Sequence, residues 1–430
     1  MRTRVHAMMA ATVATGAFTV LTSLPATAAA ATEQVSVNSA AVPANRNSDN
    51  PDVSASGRHV VFRSEATNLV PGDSNGFPDV FLRDRGAGQT ERISVSSTGQ
   101  QANQASGSAA PAITPNGRYV AFDSLASNLV ASDTNGQYDV FVRDRRDRRT
   151  SRVSVGLGGA EPDGPSRVGA ISANGCRVAF ESTATNLVSG DTNQTGDVFV
   201  RDRRTGVTTL VSVGLSGAPA NGGSGAPALS ADGNLVAFES SASNLVAGDD
   251  NPYPDIFVRD LTTRTTERVS VTTSGERIFA AHHTPSISAD GRYVVFANRL
   301  PVGAPGGPYT QVWIRDRVAK TSTRVVVDPA LAPGPHASTA GSVSPDGRHV
   351  VFVSMQQSLG NDPNLPKGVF ALDVATGAVA RLSVKPDGSP ATISLPYIAA
   401  ADGGAVFGAA SPDLVPRPGP GVQIYFRPWQ

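Results

Sequence analysis

The chain has 430 residues, with 36 basic and 36 acidic side chains, so its formal net charge is zero. This balance gives no support for nucleic acid or an anionic membrane as the partner. The 43 glycines and 31 prolines, beside only 16 Phe, 7 Tyr and 2 Trp, favour a turn-rich all-β protein over a helical one. Val, Ile and Phe recur in short regular runs, which argues against a disordered chain because they supply a core.

Residues 1–30 are predicted to be a signal peptide. Arg2 and Arg4 precede a largely apolar run from Met8 to Leu24, and Ala26-Thr27-Ala28 has the small-x-small pattern of a cleavage site. A membrane anchor is the alternative, but the run is short and is followed by Pro25 and small residues. We therefore expect a protein that is secreted or lies in the periplasm or cell envelope, with no membrane span after cleavage.

The only cysteine, Cys176, cannot form an intramolecular disulfide, so an exported fold must be stable through packing alone. Cys176 follows a turn glycine, at a place where other copies of the repeat described below have Arg or Asn. We interpret it as a variable repeat position and not as a catalytic thiol.

A phenylalanine recurs at the same place in seven successive units, with spacings of 60, 58, 58, 58, 56 and 55 residues. A period of this size, filled with short strands, is typical of a propeller or a solenoid. The seven residues are Phe62, Phe122, Phe180, Phe238, Phe296, Phe352 and Phe407.

Each unit is predicted to contain four strands, which we call A to D. Strand A is short, as in Pro285–Ser288, and a tight turn with Asp290 and Gly291 leads to strand B at Arg292–Phe296. Strand C is Asp197–Asp202, and strand D is exemplified by Arg268–Val271. Their mixture of β-branched, aromatic and polar residues fits sheets packed between neighbouring sheets.

The two ends of the chain predict a closed ring. Gln34–Val37 matches strand D, whereas the last unit stops at a strand C, Gln423–Phe426. The opening residues can therefore complete the last sheet and remove its free edge, which an open solenoid would not need. We predict an all-β fold: one seven-bladed β-propeller over residues 31–430, with four-stranded blades closed by the N-terminal strand.

Two motifs resemble the TolB-type β-propeller repeat, which is similar to WD repeats. They are the turn and strand Ser344–Phe352, and Val369–Asp373 followed by Thr376 and Gly377. The resemblance covers about residues 34–426. It implies the fold but no single function, because this family includes periplasmic interaction proteins, propeller domains of peptidases and a few lyases. Unlike TolB, the chain has no separate α/β domain before the propeller.

Four units have an Asp/Asn pattern between strands B and C, after an Asn-Leu-Val segment. Oxygen ligands at positions 1, 3 and 7 of a short loop can partly surround Ca²⁺, although the bidentate Glu of a complete calcium loop is missing. The alternative is that these side chains cap the loop backbone and start strand C. The residues are Asp73, Asn75 and Asp79; Asp133, Asn135 and Asp139; Asp191, Asn193 and Asp197; and Asp249, Asn251 and Asp255.

Three histidines form a second candidate site. His282, His283 and His336 are predicted to lie in the D–A connections of adjacent units, close to the channel mouth, where three imidazoles could bind a transition metal. Exposed loop histidines that bind nothing are the alternative. His59 and His349 replace a strand B tyrosine and are predicted to be packing residues.

Other catalytic patterns are missing from the sequence. It contains no G-x-S-x-G elbow, no phosphate-binding P-loop and no H-E-x-x-H zinc helix. An Arg-Asp pair ends strand C in most units, and we predict that each Asp caps the following C–D hairpin. The pairs are Arg83-Asp84, Arg143-Asp144, Arg201-Asp202, Arg259-Asp260 and Arg315-Asp316.

We therefore expect a non-enzymatic binding scaffold, monomeric, that recognises a protein, peptide or glycan on the face formed by the B–C and D–A loops. No cofactor is certain from the sequence, and Ca²⁺ is a candidate. The first alternative is a carbohydrate-active lyase or hydrolase with a metal site at the channel mouth. The second is a calcium-stabilised structural module of the cell envelope. Fold alone does not choose among them.

Overall fold

The structure is a computed structural model that describes residues 31–250, 253–278, 281–299, 310–325, 338–354, 368–391 and 393–429. The predicted signal peptide lies outside these residues. Within them, the chain forms seven antiparallel sheets of four strands each, so the prediction of a seven-bladed β-propeller is confirmed. In the described part of the chain, no helix is long and apolar enough to cross a membrane.

Strands A to D of the first three blades follow the chain in order. Blade 1 has β2 (Ser48–Val53), β3 (His59–Ser64), β4 (Asp79–Asp84) and β5 (Gln89–Arg92). Blade 2 has β6 (Ala112–Ile113), β7 (Tyr119–Ser124), β8 (Asp139–Asp144) and β9 (Arg149–Arg152). Blade 3 has β10 (Ser166–Ile171), β11 (Arg177–Ser182), β12 (Asp197–Asp202) and β13 (Val207–Leu210), after a single 3-10 turn at Leu157–Gly159.

The remaining blades repeat the order. Blade 4 has β14 (Ser224–Leu229), β15 (Leu235–Ser240), β16 (Asp255–Asp260) and β17 (Thr265–Arg268). Blade 5 has β18 (Ala281–Ile287), β19 (Tyr293–Arg299), β20 (Thr310–Asp316) and β21 (Thr321–Val325). Blade 6 has β22 (Ser338–Val343), β23 (His349–Ser354), β24 (Gly368–Asp373) and β25 (Val379–Arg381). Blade 7 has β26 (Ser394–Ala401), β27 (Gly404–Ala410), β28 (Gln423–Pro428) and, as its fourth strand, β1 (Glu33–Gln34).

The ring closes through the N-terminal strand, as predicted. Glu33 pairs with Phe426 and Gln34 with Tyr425 in an antiparallel ladder. The Val35 N–H then donates to the Ile424 carbonyl at 2.7 Å, and the Ser36 hydroxyl donates to Gln423 Oε1 at 2.7 Å. The first and last segments of the described chain therefore belong to one sheet.

Strand D lies slightly earlier in the chain than the sequence predicts. In blade 4 the paired residues are Thr265–Arg268, whereas the prediction was Arg268–Val271. The reason is that Ser270 bonds strand C through its side chain and not through backbone ladder hydrogen bonds. Its hydroxyl accepts the Ile256 N–H at 3.2 Å and donates to Asp255 at 2.6 Å. The segment after Arg268 therefore leaves the regular ladder while staying attached to strand C.

The core lies between blades. In most blades the recurrent strand B phenylalanine is fully buried beside an aromatic ring of strand C, with ring centroids 5.8 Å apart for Phe122 and Phe141. One hydrophobic cluster joins Val61 and Val80 of blade 1 to both of these rings of blade 2. Burying such side chains contributes about 1.5–3 kcal/mol each, so every blade is stabilised by its neighbours.

The Arg-Asp pairs have the predicted structural role. Asp84 Oδ1 accepts the Ala87 N–H at 3.0 Å, and Asp202 Oδ1 accepts the Thr205 N–H at 3.0 Å, so each Asp caps its C–D hairpin. The arginine before it fixes the other side of the hairpin, since Arg83 Nη1 donates to the Gly88 carbonyl at 2.9 Å.

The two strand B histidines are packing residues. The ring of His59 lies against the turn glycine of blade 2, where a Cβ added to Gly117 would lie 2.3 Å from Nδ1. The ring of His349 stacks on Trp429 with centroids 4.3 Å apart. Burial lowers the pKa of both imidazoles, which favours their neutral forms.

Candidate functional site

The D–A and B–C loops meet on one face of the propeller, which we call the loop face. Asn68, in the B–C connection of blade 1, donates from Nδ2 to the Pro43 carbonyl at 2.9 Å and accepts the Asn45 N–H at 3.0 Å. Pro43 and Asn45 precede strand A, so these bonds join the two loop sets. The same bonds are made in later blades by Asn128, Asn186 and Asn244.

The central channel is lined by strand A of successive blades and contains a cavity of about 460 Å³. Most of its lining is apolar or backbone, and among the described lining residues Asp52 alone carries a charge. Asp52 accepts the Ile113 N–H at 2.9 Å, and burial raises the pKa of this carboxyl to about 6. The channel therefore offers little charge for binding a polar ligand.

In each predicted calcium loop that the structure describes fully, the Asp and Asn residues lie close together at the start of strand C. The asparagine side chains, however, are not oriented as oxygen ligands. Asn75 Nδ2 donates to Asp79 Oδ2 at 3.2 Å and to the Ala102 carbonyl at 2.9 Å, while its Oδ1 accepts the Phe77 N–H at 3.0 Å. Asn135 and Asn193 repeat this arrangement, and Asn251 lies outside the described residues. The asparagine oxygens thus bind the loop backbone, and the amide nitrogens face the carboxylates.

The final Asp of each loop is a buried anchor at the start of strand C. Asp79, Asp139, Asp197 and Asp255 are at most 3% exposed. Each accepts a serine hydroxyl from the segment after strand D, at 2.5 Å for Ser94 on Asp79 and 2.5 Å for Ser212 on Asp197. Capping, the alternative interpretation of these residues, accounts for this part of the pattern.

An arginine from the end of strand D lies between the two carboxylates in three of these loops. Arg92 is 3.4 Å from both Asp73 and Asp79. Arg152 is 3.7 Å from Asp133 and 3.3 Å from Asp139. Arg268 is 3.1 Å from Asp249 and 3.5 Å from Asp255. In blades 1, 2 and 4 a guanidinium therefore lies between the two carboxylates that the sequence predicted as calcium ligands.

Two of the three histidine candidates lie on a strand and not in a loop. His282 and His283 belong to β18, in register with Asn298 and Ala297 of β19, whereas His336 lies outside the described residues. No group of three or more His, Cys, Asp or Glu side chains suitable for a metal occurs in the described part of the chain. A transition-metal site at the three histidines stays a prediction.

A polar pocket that the sequence did not predict opens between blades 3 and 4, and we call it the interblade pocket. It has a volume of about 350 Å³, and its charged lining residues are Arg167, Glu181 and Glu239. Glu181 Oε2 accepts the Ala226 N–H at 3.0 Å, and Glu239 Oε2 accepts the Thr284 N–H at 3.3 Å. Each carboxylate is therefore held by a backbone N–H of the next blade.

Glycines open this pocket. Gly196 lines it, and the Gly196 carbonyl accepts the Ser224 N–H at 2.8 Å. In the preceding interface the equivalent residue is Tyr138, whose carbonyl accepts the Ser166 N–H at 2.7 Å. The Tyr138 side chain is half-buried, and burial and the charge of Asp123 raise the pKa of its hydroxyl, whereas Gly196 has no side chain at the equivalent position.

A sequence pattern does point to the pocket in retrospect. The residue after the strand B phenylalanine is charged in the first four units and uncharged in the last three. The structure places these residues near the end of strand B that leads into the B–C loop, with Arg63 bound to Asp49 at 2.7 Å as one example. The charged positions are Arg63, Asp123, Glu181 and Glu239.

No family model matches the chain, and no curated protein matches it either. Solved structures do. The β-propeller domain of the Trilobed protease from Pyrococcus furiosus is similar with a TM-score of 0.53 and 11% identity, over 89% of this chain and 94% of that one. A GH74 xyloglucanase from Xanthomonas campestris is similar with a TM-score of 0.50 and 12% identity, over 93% of this chain and 56% of that one.

A protein assigned to TolB from Agrobacterium tumefaciens is also similar, with 16% identity, a TM-score of 0.41, and coverage of 80% of this chain and 94% of that one. Likenesses at these identities concern the fold alone. The class is clear from the blades and their closure: the chain is a seven-bladed β-propeller with four-stranded blades. The Pyrococcus furiosus domain is described as having an open velcro topology, whereas the ring of this chain is closed by β1.

Proposed function

We propose that this protein is an exported, non-enzymatic binding scaffold that recognises its ligand on the loop face. The observation that carries the proposal is the interblade pocket, where Arg167, Glu181 and Glu239 line one opening of about 350 Å³. This volume suits a single sugar ring or one long side chain of a peptide. Glu181 and Glu239 are pre-positioned by backbone N–H groups, which reduces the entropy lost on binding.

The ligand classes that fit are a glycan or a basic peptide. Two carboxylates and one guanidinium can accept and donate hydrogen bonds to sugar hydroxyls, and their combined charge of about −1 favours a Lys or Arg side chain. Salt dependence separates the two classes. Binding of a basic side chain weakens as ionic strength rises, whereas binding of a neutral sugar changes little.

The test is a binding screen of the mature protein against glycan and peptide arrays, followed by a pocket-filling variant. Gly196→Tyr places in the pocket the side chain that Tyr138 supplies in the preceding interface. Gly196 does not have a positive φ, and a Cβ there would meet only the Ser224 carbonyl at 3.6 Å, so the backbone accepts the change. We expect at least a tenfold loss of affinity with an unchanged melting temperature.

Gly158→Tyr is the matched control, with one difference. Nothing lies within 4 Å of its Cβ, and it adds the same ring at a turn that does not line the pocket, although its φ of 68° adds backbone strain. It should leave affinity unchanged. Equal losses of affinity for the two variants, or retained binding by Gly196→Tyr, would place the ligand elsewhere.

A carbohydrate-active hydrolase is the second candidate. Glycosidases use two carboxyl groups that flank the scissile bond, and Glu181 and Glu239 line one pocket. The same glycans should therefore be assayed for new reducing ends after incubation with the protein. Cleavage that is lost in Glu181→Gln and in Glu239→Gln would replace the scaffold proposal with this one.

A further inference from the structure

The B–C loop of blade 3 differs from its three relatives at the position of the strand D arginine. The strand D residue that pairs with the strand C phenylalanine is at the same position in each blade. It is Arg92 opposite Phe81, Arg152 opposite Phe141 and Arg268 opposite Phe257. In blade 3, Phe199 pairs with Leu210. The guanidinium that lies between two carboxylates in blades 1, 2 and 4 is therefore replaced by an apolar side chain.

A second compensating position is also lost in blade 3. In blade 1, Gln101 Nε2 donates to Asp73 at 2.9 Å and to Asp79 at 3.1 Å. The equivalent residue in blade 3 is Pro219, since the carbonyls that follow these two residues, of Ala102 and Ala220, accept the same asparagine bond. Proline offers no side-chain donor. The Asp191–Asp197 pair thus keeps its two carboxylates without the cation or the amide found in blade 1.

Two buried oxygens of this loop have no hydrogen-bond partner among the described residues. They are Asp191 Oδ1 and Thr195 Oγ1. Leaving a buried oxygen unpaired is unfavourable. Asp197, 0% exposed, is satisfied on one side by Ser212 at 2.5 Å and on the other by Asn193 at 2.6 Å.

We propose that blade 3 binds one divalent cation between Asp191 and Asp197, at the place that an arginine guanidinium occupies in blades 1, 2 and 4. The carboxylate oxygens, with Thr195 Oγ1 in the same loop, are the hard ligands that Ca²⁺ and Mg²⁺ prefer. Water completes the coordination, because Asn193 turns its Nδ2 to Asp197 and its Oδ1 to the backbone. The inference does not depend on the interblade pocket or on its ligand.

The experiment compares the mature protein with Leu210→Arg, which restores the arginine of the other three blades. Both are treated with EDTA, and their melting temperatures are then measured with and without 10 mM CaCl₂ or MgCl₂, conditions chosen at about a hundred times a submillimolar Kd. We expect the unmodified protein to melt about 2–4 °C higher with one of the cations. Leu210→Arg should show no such rise and should melt above the unmodified protein in EDTA.

Two further measurements keep the inference falsifiable if Leu210→Arg folds poorly. Asp191→Asn removes one charge and retains the shape, and it should lose the cation response. Titration with Tb³⁺ as a luminescent probe should give one site per chain, absent in Asp191→Asn. The inference is overturned if neither cation shifts the melting temperature of the unmodified protein, or if Asp191→Asn responds and binds Tb³⁺ as the unmodified protein does.

Discussion

At the scale of single residues, the contact between neighbouring blades depends on the turn glycines. Gly175 has a φ of 72°, and a Cβ added to it would lie 2.2 Å from the Tyr119 ring of the preceding blade. The turn therefore needs glycine twice, for the left-handed backbone and for the close approach of an aromatic ring. Gly117 against His59 and Gly347 against Tyr293 repeat the arrangement.

Gly175→Ala should lower the free energy of unfolding by about 2–4 kcal/mol, the sum of left-handed strain and overpacking against Tyr119. Chemical denaturation followed by fluorescence measures this change. Gly217→Ala is the matched control, because Gly217 has a φ of 81° but nothing lies within 4 Å of its Cβ. The control should lose only about 1–2 kcal/mol. Equal losses in the two variants would show that Tyr119 moves aside without cost.

At the scale of elements, strand A contains a bulge that serves the loop face. The register of β14 and β15 shifts between Gly225 and Ala228, and Ala226 has a φ of 48° immediately before Pro227. This conformation directs the Ala226 N–H to Glu181 in the interblade pocket. Thr284, with a φ of 49° before a proline, does the same for Glu239. The bulge stores strain and positions a pocket residue.

Ala226→Gly should therefore stabilise the protein. Relief of the left-handed penalty of about 1–2 kcal/mol exceeds the entropic cost of glycine, about 0.5–1 kcal/mol, so a net gain of roughly 0.5–1 kcal/mol is expected. A melting scan in parallel with Ala228→Gly provides the comparison, because Ala228 lies past the bulge in the ladder and should lose stability. A lower melting temperature for Ala226→Gly would mean that the bulge is not strained.

At the scale of the whole molecule, each blade is stabilised by the two blades beside it, and the ring has to be closed between blades 7 and 1. Closure uses backbone pairing of β1 with β28 and an ion pair between Arg85 of blade 1 and Glu33, at 2.6 Å. Arg145 with Glu91 and Arg317 with Glu267 form the same ion pair in other interfaces. The N-terminal segment therefore reproduces an ordinary strand D interface.

Val35→Asp tests closure without shortening the chain. Val35 is 0% exposed and belongs to the same cluster as Ile424, so a carboxylate there should cost about 3 kcal/mol or more and expose the edge of β28. The expected result is a lower melting temperature with self-association detected by light scattering. Val42→Asp is the control in the same segment, because Val42 is 48% exposed. If both variants melt alike, the ring does not depend on its N-terminal strand.

Much of the fold could be read from local patterns. The phenylalanine period predicted the blade number, the mismatch between Gln34–Val37 and the last unit predicted closure, and the Asp after each strand C arginine predicted the hairpin cap. Strand D was misplaced because the Ser270 hydroxyl replaces backbone pairing, which no propensity reveals. The orientation of the loop asparagines could not be predicted from the sequence. It depends on a carbonyl 27 residues away, such as that of Ala102, which accepts the Asn75 amide N–H.

The sequence by itself determined the repeat, the strands and the closed ring, because each follows from residues close together within one unit and from how often that unit recurs. Only the tertiary structure decided where polar groups meet. Gly196 lines the interblade pocket, at the position that Tyr138 has in the preceding interface. The carboxylates of blade 3 lack a counter-charge because Leu210, and not an arginine, pairs with strand C beside them. Both depend on distances between strands, and these distances are set when the blades pack.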